Sequence, residues 1–212
     1  VQPEIVVLQP KTFEGVLDSF LQIGLACGAE TEANEAIAEI RQRVRSIQDK
    51  LPAAAHWPRV FSIEGINPLV LGGHWIPDLL ELAGGNQDLL PSGSAAKRLE
   101  WGEVHDYNPD KLFVDLCSSD LARNLREVPW LESQEGWRDM TCVQNGEVYL
   151  IDHSYFSRPG PRTIEGLEIL AQLTHPDLFN GLVPRNAVVK LDVQRYAGRP
   201  DGEISDCFSP YH

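Results

Sequence analysis

The stretch from Val148 to Pro176 reads VYLIDHSYFSRPGPRTIEGLEILAQLTHP, and it predicts a strand, a stiff loop and a helix in succession. Residues 148–151 are an uninterrupted run of β-branched, aromatic and aliphatic side chains, which is typical of a short strand buried on both faces. From Ile164 onward, apolar residues recur at the spacing of one helix face until Pro176 ends the pattern.

The loop inside this stretch carries Tyr155, Phe156 and Arg158. Pro159 and Pro161 fix φ and restrict the residues before them, so the loop is predicted to be stiff. In an open α/β sheet, ligands bind at the loops that follow the carboxyl ends of strands. We therefore interpret the two aromatic side chains and the guanidinium as candidate ligand contacts.

The segments before this stretch repeat the alternation of strands and helices. The predicted strands are Arg59–Ile66 and Leu112–Cys117, and the predicted helices are Trp75–Ala83 and Ser119–Val128. Strands separated by helices imply an α/β, Rossmann-like lobe with a largely parallel sheet covered on both faces. After Gly181 few apolar residues recur at the spacing of a helix or a strand. The tail is therefore predicted to wrap the surface or to be partly disordered.

The first fifty residues predict one strand and two helices. Glu4–Leu8 is a short apolar run typical of a strand, and a helical pattern follows from Phe13 to Gly28. A longer pattern begins at Thr31, a candidate N-cap, and ends at Leu51 before a proline. A helix of this length spans about 30 Å. It is either an ordinary packed helix or a strut that connects two lobes.

Charge excludes two classes of partner. The 212 residues contain 18 Lys and Arg against 31 Asp and Glu, which gives a net charge of −13. A nucleic acid or an anionic membrane surface would be repelled by most of this chain. The sequence has no apolar run of membrane-spanning length, and its first residues, VQPEIVV, lack the charged start and apolar core that are typical of a signal peptide. The missing initiator Met favours a processed or truncated form, so the compartment stays open: periplasmic with a signal on the full-length product, cytoplasmic otherwise.

The cysteines and histidines predict neither disulfides nor a metal site. The cysteines are Cys27, Cys117, Cys142 and Cys207. They form no CxxC pair, which favours reduced, partly buried thiols. The histidines His74, His105 and His153 match no metal-ligand spacing, and we predict no metal.

Two further loops carry side chains suited to a ligand. Gly72–Gly73 precedes His74 and Trp75, and paired glycines let the backbone approach a ligand. Trp101 and Glu103 follow in the next loop. Aromatic side chains with a few polar groups suit a large, flat, partly apolar molecule, although each feature alone also fits ordinary packing. GxGxxG, GxxxxGK[ST] and GxSxG motifs are absent, so neither a phosphate cradle nor the commonest hydrolase site is predicted.

Four blocks of sequence, in this order, resemble the cobalamin-binding branch of the iron-siderophore and cobalamin periplasmic-binding protein superfamily. The blocks are Gly73–Pro77 (GHWIP) with Glu81–Gly85 (ELAGG), Trp101–Glu103 (WGE) with Asn108–Asp110 (NPD), Gly136–Arg138 (GWR) with Asn145–Tyr149 (NGEVY), and Tyr155–Arg162 (YFSRPGPR) with Glu165–Ile169 (EGLEI). The resemblance runs from about residue 1 to about residue 179.

This resemblance implies two α/β lobes joined by one long helix, with the ligand held in the cleft between them. It divides the chain into a remnant of the N-terminal lobe (1–28), the linking helix (29–52), the C-terminal ligand-binding lobe (53–179) and a C-terminal extension (180–212). Most of the first lobe is expected to be missing. The unpaired sheet edge that this would leave predicts self-association.

The resemblance further implies a non-enzymatic binding protein that delivers cobalamin, or a related corrinoid or chelated-metal ligand, to an ABC-type importer. The side chains expected to face the corrinoid are His74, Trp75, Trp101, Tyr155, Phe156 and Arg158. Glu103 is expected to meet an arginine of the importer's membrane subunit. No cofactor is expected apart from cobalamin as the bound ligand.

Two other functions remain open at this point. The lobe could be a protein–protein interaction module that has lost its ligand, in which case corrinoids would produce no spectral or thermal response. It could also be an enzyme that uses His74, Glu103 and Arg158 as acid, base and anion clamp. The enzyme hypothesis requires these three groups to lie within hydrogen-bond reach of one another or of a shared substrate position.

Overall fold

A computed structural model describes residues 5–200 and 203–212. Its helices are α1 (Phe13–Cys27), α2 (Glu30–Gln48), α3 (Ile76–Leu82), α4 (Trp101–Tyr107), α5 (Leu121–Glu132), α6 (Thr141–Gln144), α7 (Thr163–Thr174) and α8 (Val193–Ala197). Its strands are β1 (Val60–Ile66), β2 (Leu69–Leu71), β3 (Lys97–Arg98), β4 (Lys111–Val114), β5 (Val148–Ile151), β6 (Val188–Leu191) and β7 (Phe208–Tyr211). In these two ranges, no helix is both long enough and apolar enough to span a bilayer.

The strands form one mixed sheet in the order β3-β2-β1-β4-β5-β6-β7. The central strands β1, β4 and β5 pair in parallel, and the strands on either side of them pair antiparallel. The central strand β4 pairs on both sides, with Leu112 opposite Phe61 of β1 and Val148 of β5. The predicted α/β fold is confirmed, and its parallel strands are the ones that buried apolar runs predict.

Helices cover both faces of the sheet because successive strand residues point to opposite sides. Val60, Phe113 and Tyr149 pack with α1, α2, α3 and α7 on one face. Phe61 and Leu112 pack with α4, α5, α6 and α8 on the other face. The two hydrophobic clusters are therefore separated by the sheet itself.

The two predicted N-terminal helices are confirmed. The first begins after Thr12, whose Oγ1 accepts a hydrogen bond from Gly15 N at 3.0 Å, and ends at Gly28 with φ 69°. The second is 19 residues long. Its predicted N-cap at Thr31 is wrong, because Ala29 caps it and only Gly28 and Ala29 separate the two helices. Helical geometry therefore resumes at Glu30, before Thr31.

The predicted strand Glu4–Leu8 is wrong for the residues that the structure describes. Residues 5–8 are in no strand, and Ile5 and Val7 are 81% and 68% exposed. A strand requires a neighbour to pair its backbone groups, and this segment has none in the described part of the chain. Glu4 lies outside the described residues.

The C-terminal tail forms part of the sheet, which corrects the prediction that it wraps the surface. Tyr149 of β5 pairs antiparallel with Lys190, and Lys190 pairs with Ser209 of β7. Residues 204–207 pack against α5, where Ile204 is fully buried and its N–H donates to Glu132 Oε2 at 3.3 Å. The tail thus covers the edge of β5 that would otherwise be open.

A substitution at Ile204 tests whether the tail is part of the core. Ile204→Ala is expected to lower the free energy of unfolding by about 2–5 kcal/mol, because it leaves a cavity between the tail and α5. Gln194→Ala, at an exposed position of α8, is the matched control and should change stability by less than about 0.5 kcal/mol. Equal denaturation midpoints for the two variants would contradict the packing described here.

Candidate functional site

The carboxyl ends of β4 and β5 lie side by side and open onto a cavity of about 550 Å³. The loop after β4, the start of α5 and the loop after β5 form its walls. Its polar lining residues include Ser118, Ser119, Asp120, Arg123, Arg126, Asp152, His153, Ser154, Ser157 and Arg158. A larger groove of about 600 Å³ is lined by Phe13, Leu51 and Trp57 and lies before the start of β1, away from these strand ends.

One buried amide joins the elements around this cavity. Asn124 of α5 is fully buried, and its Nδ2 donates to the carbonyl oxygens of Ile151 at 2.8 Å and Val114 at 3.4 Å. Its Oδ1 accepts a hydrogen bond from Ser119 Oγ. The backbone N–H of His153 donates to Ser119 O at 3.2 Å. The two strand ends and both loops are therefore held in fixed positions around the cavity.

A buried carboxyl group lies beneath the cavity. Asp115 is 2% exposed, and its Oδ1 accepts a hydrogen bond from Ser62 Oγ at 2.7 Å. Burial raises the pKa of Asp115 well above its usual value, and the neighbouring Glu64 carboxylate raises it further. Burial also raises the pKa of Glu64, which a hydrogen bond from the Gly73 backbone partly opposes. The protonated form of Asp115 is thus favoured in the folded protein.

His153 connects this buried group to the cavity. Its Nδ1 lies 2.6 Å from the carbonyl oxygen of Asp115, which can only accept a hydrogen bond. The proton of the neutral ring therefore resides on Nδ1, and Nε2 is an acceptor. Burial lowers the pKa of His153, which favours this neutral form at neutral pH.

The structure brings several of the predicted ligand residues together. Trp75 Nε1 donates to the carbonyl oxygen of Phe156 at 3.2 Å, and Trp75 and Tyr155 pack on the same hydrophobic cluster. Phe156 is only 2% exposed, so its side chain supports the loop from below. The Arg162 guanidinium lies 4.7 Å from the centroid of the Tyr155 ring. Arg158 is exposed and lines the cavity.

His74 is separated from β1 by a second strand. β2 forms an antiparallel hairpin with β1, and His74 comes after β2. His74 follows the end of an antiparallel strand and has φ 56°, and its backbone N–H donates to Ser94 O at 2.7 Å. Its ring is exposed and lies 5.9 Å from that of Trp75.

Trp101 and Glu103 belong to the opposite face of the sheet from Trp75. Trp101 packs at 6.0 Å from the Trp137 ring, and its Nε1 donates to Glu135 O at 2.8 Å. Glu103 is exposed and completes a capping box at the start of α4. Hydrogen bonds from the Glu100 N–H and from Lys97 lower the pKa of Glu103. The structure therefore does not bring these residues into contact with the Tyr155 loop.

The enzyme hypothesis requires His74, Glu103 and Arg158 to lie within hydrogen-bond reach of one another or of a shared substrate position. Among the residues that the structure describes, no hydrogen bond or ion pair joins His74, Glu103 and Arg158 to one another. In the same ranges, no group of three His, Cys, Asp or Glu side chains is placed to hold a metal ion. All four cysteines are free thiols.

Several cavity residues were missed by sequence reasoning. Arg123 and Arg126 come after the end of a predicted strand, as the Tyr155 loop does. This position in the sequence could have identified them as candidate ligand contacts. The acceptor role of His153 and the burial of Asp115 could not be found in this way. Both depend on a contact between β4 and the loop after β5.

The fold is an α/β sheet with a cavity at the carboxyl ends of two parallel strands, which is where open α/β sheets bind ligands. The chain belongs to the periplasmic binding protein family, which residues 3–155 match. An uncharacterized ABC transporter substrate-binding lipoprotein, YvrC of Bacillus subtilis (strain 168), is 25% identical over 180 residues. The match covers 82% of this chain but 54% of that protein, so the chain spans about half the length of this curated relative.

Solved structures show the same fold. The IsdE protein of S. aureus, complexed with heme, superposes with a TM-score of 0.70 at 15% identity, over 82% of this chain and 69% of that one. The periplasmic vitamin B12 binding protein BtuF of Vibrio cholerae gives a TM-score of 0.62 at 20% identity, over 80% of this chain and 64% of that one. At these identities the likeness is one of fold.

The raised pKa of Asp115 predicts a pH-dependent stability. A carboxyl group whose pKa is raised by folding stabilises the protein fully below its unfolded pKa of about 4 and loses this effect as the pH rises through the folded pKa. Asp115→Asn does not titrate at this position, so its stability relative to the wild type should increase with pH above about 4.

Chemical denaturation at about pH 5 and about pH 8 measures this difference in free energy of unfolding. Asp106→Asn, on a side chain that is 89% exposed, is the control and should give the same difference at both pH values. A pH-independent difference for Asp115→Asn would mean that Asp115 is ionised in the folded protein.

Proposed function

We propose that this chain is the ligand-binding part of a substrate-binding protein for an ABC-type importer. Family membership and the ABC transporter relative support this class. The single observation that carries the proposal is the cavity at the carboxyl ends of β4 and β5, with the exposed Arg158 at its wall. Ligands of open α/β sheets bind at such strand ends.

The ligand we propose is cobalamin or a related corrinoid or chelated-metal compound. The four sequence blocks that resemble the cobalamin-binding branch support a corrinoid, and two structural relatives are described as binding heme and vitamin B12. Trp75, Tyr155 and His74 are proposed to supply the aromatic surface that a flat macrocycle requires, and Arg158 the charged contact. Phe156 acts beneath this surface by fixing the loop. Trp101 packs on the opposite face of the sheet and is not proposed to be part of this surface.

The affinity of this chain alone depends on how much of the ligand it covers. Burial of apolar surface stabilises a complex by about 25 cal/mol per Å², and association first has to offset the lost freedom of motion. The chain spans about half of its curated relative. A ligand that is covered from one side is therefore expected to bind more weakly than one that is enclosed between two lobes.

Delivery to an importer is assigned to the surface around Glu103. This carboxylate is exposed, its lowered pKa keeps it charged, and its cationic neighbour is Lys97 at 3.2 Å. Such a group is suited to pair with an arginine of a membrane subunit. A periplasmic or membrane-anchored location is proposed on the same grounds, since the curated relative is a lipoprotein.

A second candidate function is a protein-docking module, and one surface favours it. A groove of about 510 Å³ runs between α1, α2 and the loop that contains Pro159 and Pro161. Ile23, which lines it, is 46% exposed, and the nearby Leu25 is 56% exposed. Exposed apolar surface of this kind is typical of a contact with another protein or lobe.

Titration with cyanocobalamin tests the ligand proposal. Intrinsic tryptophan fluorescence and calorimetric heat should both saturate, and Arg158→Ala should weaken binding about tenfold because a charged contact is lost. Arg185→Ala is the control, since Arg185 is equally exposed but lies outside the cavity. An absence of any saturable signal would favour the docking module.

Replacement of Glu103 by Gln tests the transporter contact. Gln keeps the oxygen that accepts the Glu100 N–H, so the capping box and the fold should persist. Ligand binding should be unchanged, whereas co-purification with the importer's membrane subunit should fall severalfold relative to Asp106→Asn. Equal recovery with both variants would remove Glu103 from the contact.

A further inference from the structure

The cavity at the ends of β4 and β5 contains cations that lack a counter-ion. Arg126 and Arg158 both line it, and within residues 5–200 and 203–212 neither of them forms an ion pair. Arg123 lines it as well but is paired with Glu127 at 2.6 Å. In a chain with 31 acidic and 18 basic residues, two unpaired guanidinium groups on one cavity favour the binding of an anion.

The acidic residues of the cavity are already engaged. Asp120 Oδ1 accepts the backbone N–H of Arg123 at 2.8 Å and so caps α5. Asp152 Oδ1 accepts the backbone N–H of Ser154 at 2.8 Å. Both carboxylates are thus held by their own loops, whereas the two arginine side chains are available to a ligand. The amino end of the 12-residue helix α5 also faces this region and favours negative charge.

His153 adds a hydrogen-bond acceptor to the cavity, beside the arginine donors. It is 3% exposed and lines the cavity, and its Nδ1 is bonded to Asp115 O at 2.6 Å. Its Nε2 is therefore an acceptor, and no hydrogen-bond partner for Nε2 is found in the part of the chain that the structure describes. Among the described residues, the fully buried side-chain atom without a partner is Thr174 Oγ1, so His153 Nε2 is accessible from the cavity, where an N–H or O–H of a ligand can donate to it.

We propose that the cavity binds an oxyanion that carries its own hydroxyl donor. Arg126 and Arg158 bind the negatively charged oxygens, and His153 Nε2 accepts the hydrogen bond from the hydroxyl. Hydrogen phosphate, a phosphate ester beside a free sugar hydroxyl, and an α-hydroxycarboxylate all have this chemistry. This inference rests on the proposed function, because Arg158 contacts the ligand in both. It implies that the transported ligand carries an oxyanion with a neighbouring hydroxyl and binds the cavity through these groups.

Inorganic phosphate and sulfate test the two parts of this proposal separately. At neutral pH hydrogen phosphate has an O–H donor, whereas sulfate has none. Calorimetric titration of the whole chain at constant ionic strength should show saturable phosphate binding about tenfold tighter than sulfate binding. The double variant Arg126→Gln/Arg158→Gln should weaken both by about tenfold or more, and Arg185→Gln should weaken neither.

His153→Asn isolates the acceptor. Asn retains a side-chain N–H near the position of Nδ1 for Asp115 O, but it has no atom in the place of Nε2. Phosphate affinity should fall to that of sulfate while sulfate affinity is unchanged. Equal binding of the two anions by the wild type, or a phosphate preference that survives in His153→Asn, would overturn the proposal. The arginine variants are at exposed positions, so their folding is not in question.

A corrinoid competition separates this proposal from the proposed function. Cyanocobalamin, which has a phosphodiester beside a ribose hydroxyl, should be displaced by phosphate, whereas dicyanocobinamide, which lacks that group, should not be. Cyanocobalamin binding that phosphate leaves unaffected would overturn the oxyanion site and keep the corrinoid function. Phosphate binding with the predicted variant effects, but without any corrinoid binding, would support the oxyanion site and overturn the corrinoid assignment.

Discussion

The position of the whole candidate site depends on the side-chain amide of Asn124. This fully buried group on α5 donates to the carbonyl oxygens of Val114 and Ile151, the last residues of two parallel strands. Its oxygen accepts from Ser119, whose own carbonyl receives the backbone N–H of His153. Loss of a buried donor or acceptor costs about 1–3 kcal/mol. The network therefore fixes α5 and both loops of the cavity to the sheet as one unit.

The same region places polar groups where packing alone would favour apolar ones. Asp115 is buried beside Ser62 and near Glu64, and burial raises the pKa of both carboxyl groups. A buried carboxyl group costs stability unless it is hydrogen-bonded or neutral. Here the backbone carbonyl of Asp115 orients His153, so this strand end also sets the acceptor that faces the cavity. Such a cost is typical of a site rather than of a structural core.

The central fold could be predicted from the sequence because its elements carry their own signal. β5 is a continuous apolar run, β4 is apolar after Lys111, and α1, α2 and α7 show clear helical periodicity. The strands of the tail could not be predicted, because β6 and β7 interrupt their apolar residues with Lys190, Ser209 and Pro210. Pairing stabilises them, β6 with β5 and β7 with β6. In the site, the Tyr155 loop and Arg158 were predictable from their place after a strand. The Nε2 of His153 became an acceptor only through a contact with another strand.

The central claim is that ligand binds at the carboxyl ends of β4 and β5. Hydrogen exchange of the backbone amides, followed by mass spectrometry with and without saturating cyanocobalamin, tests this claim most directly. Slowed exchange is expected in residues 116–126 and 152–163, with no change along α2. Protection that is confined to α1, α2 and the groove between them, with both strand-end loops unchanged, would contradict it.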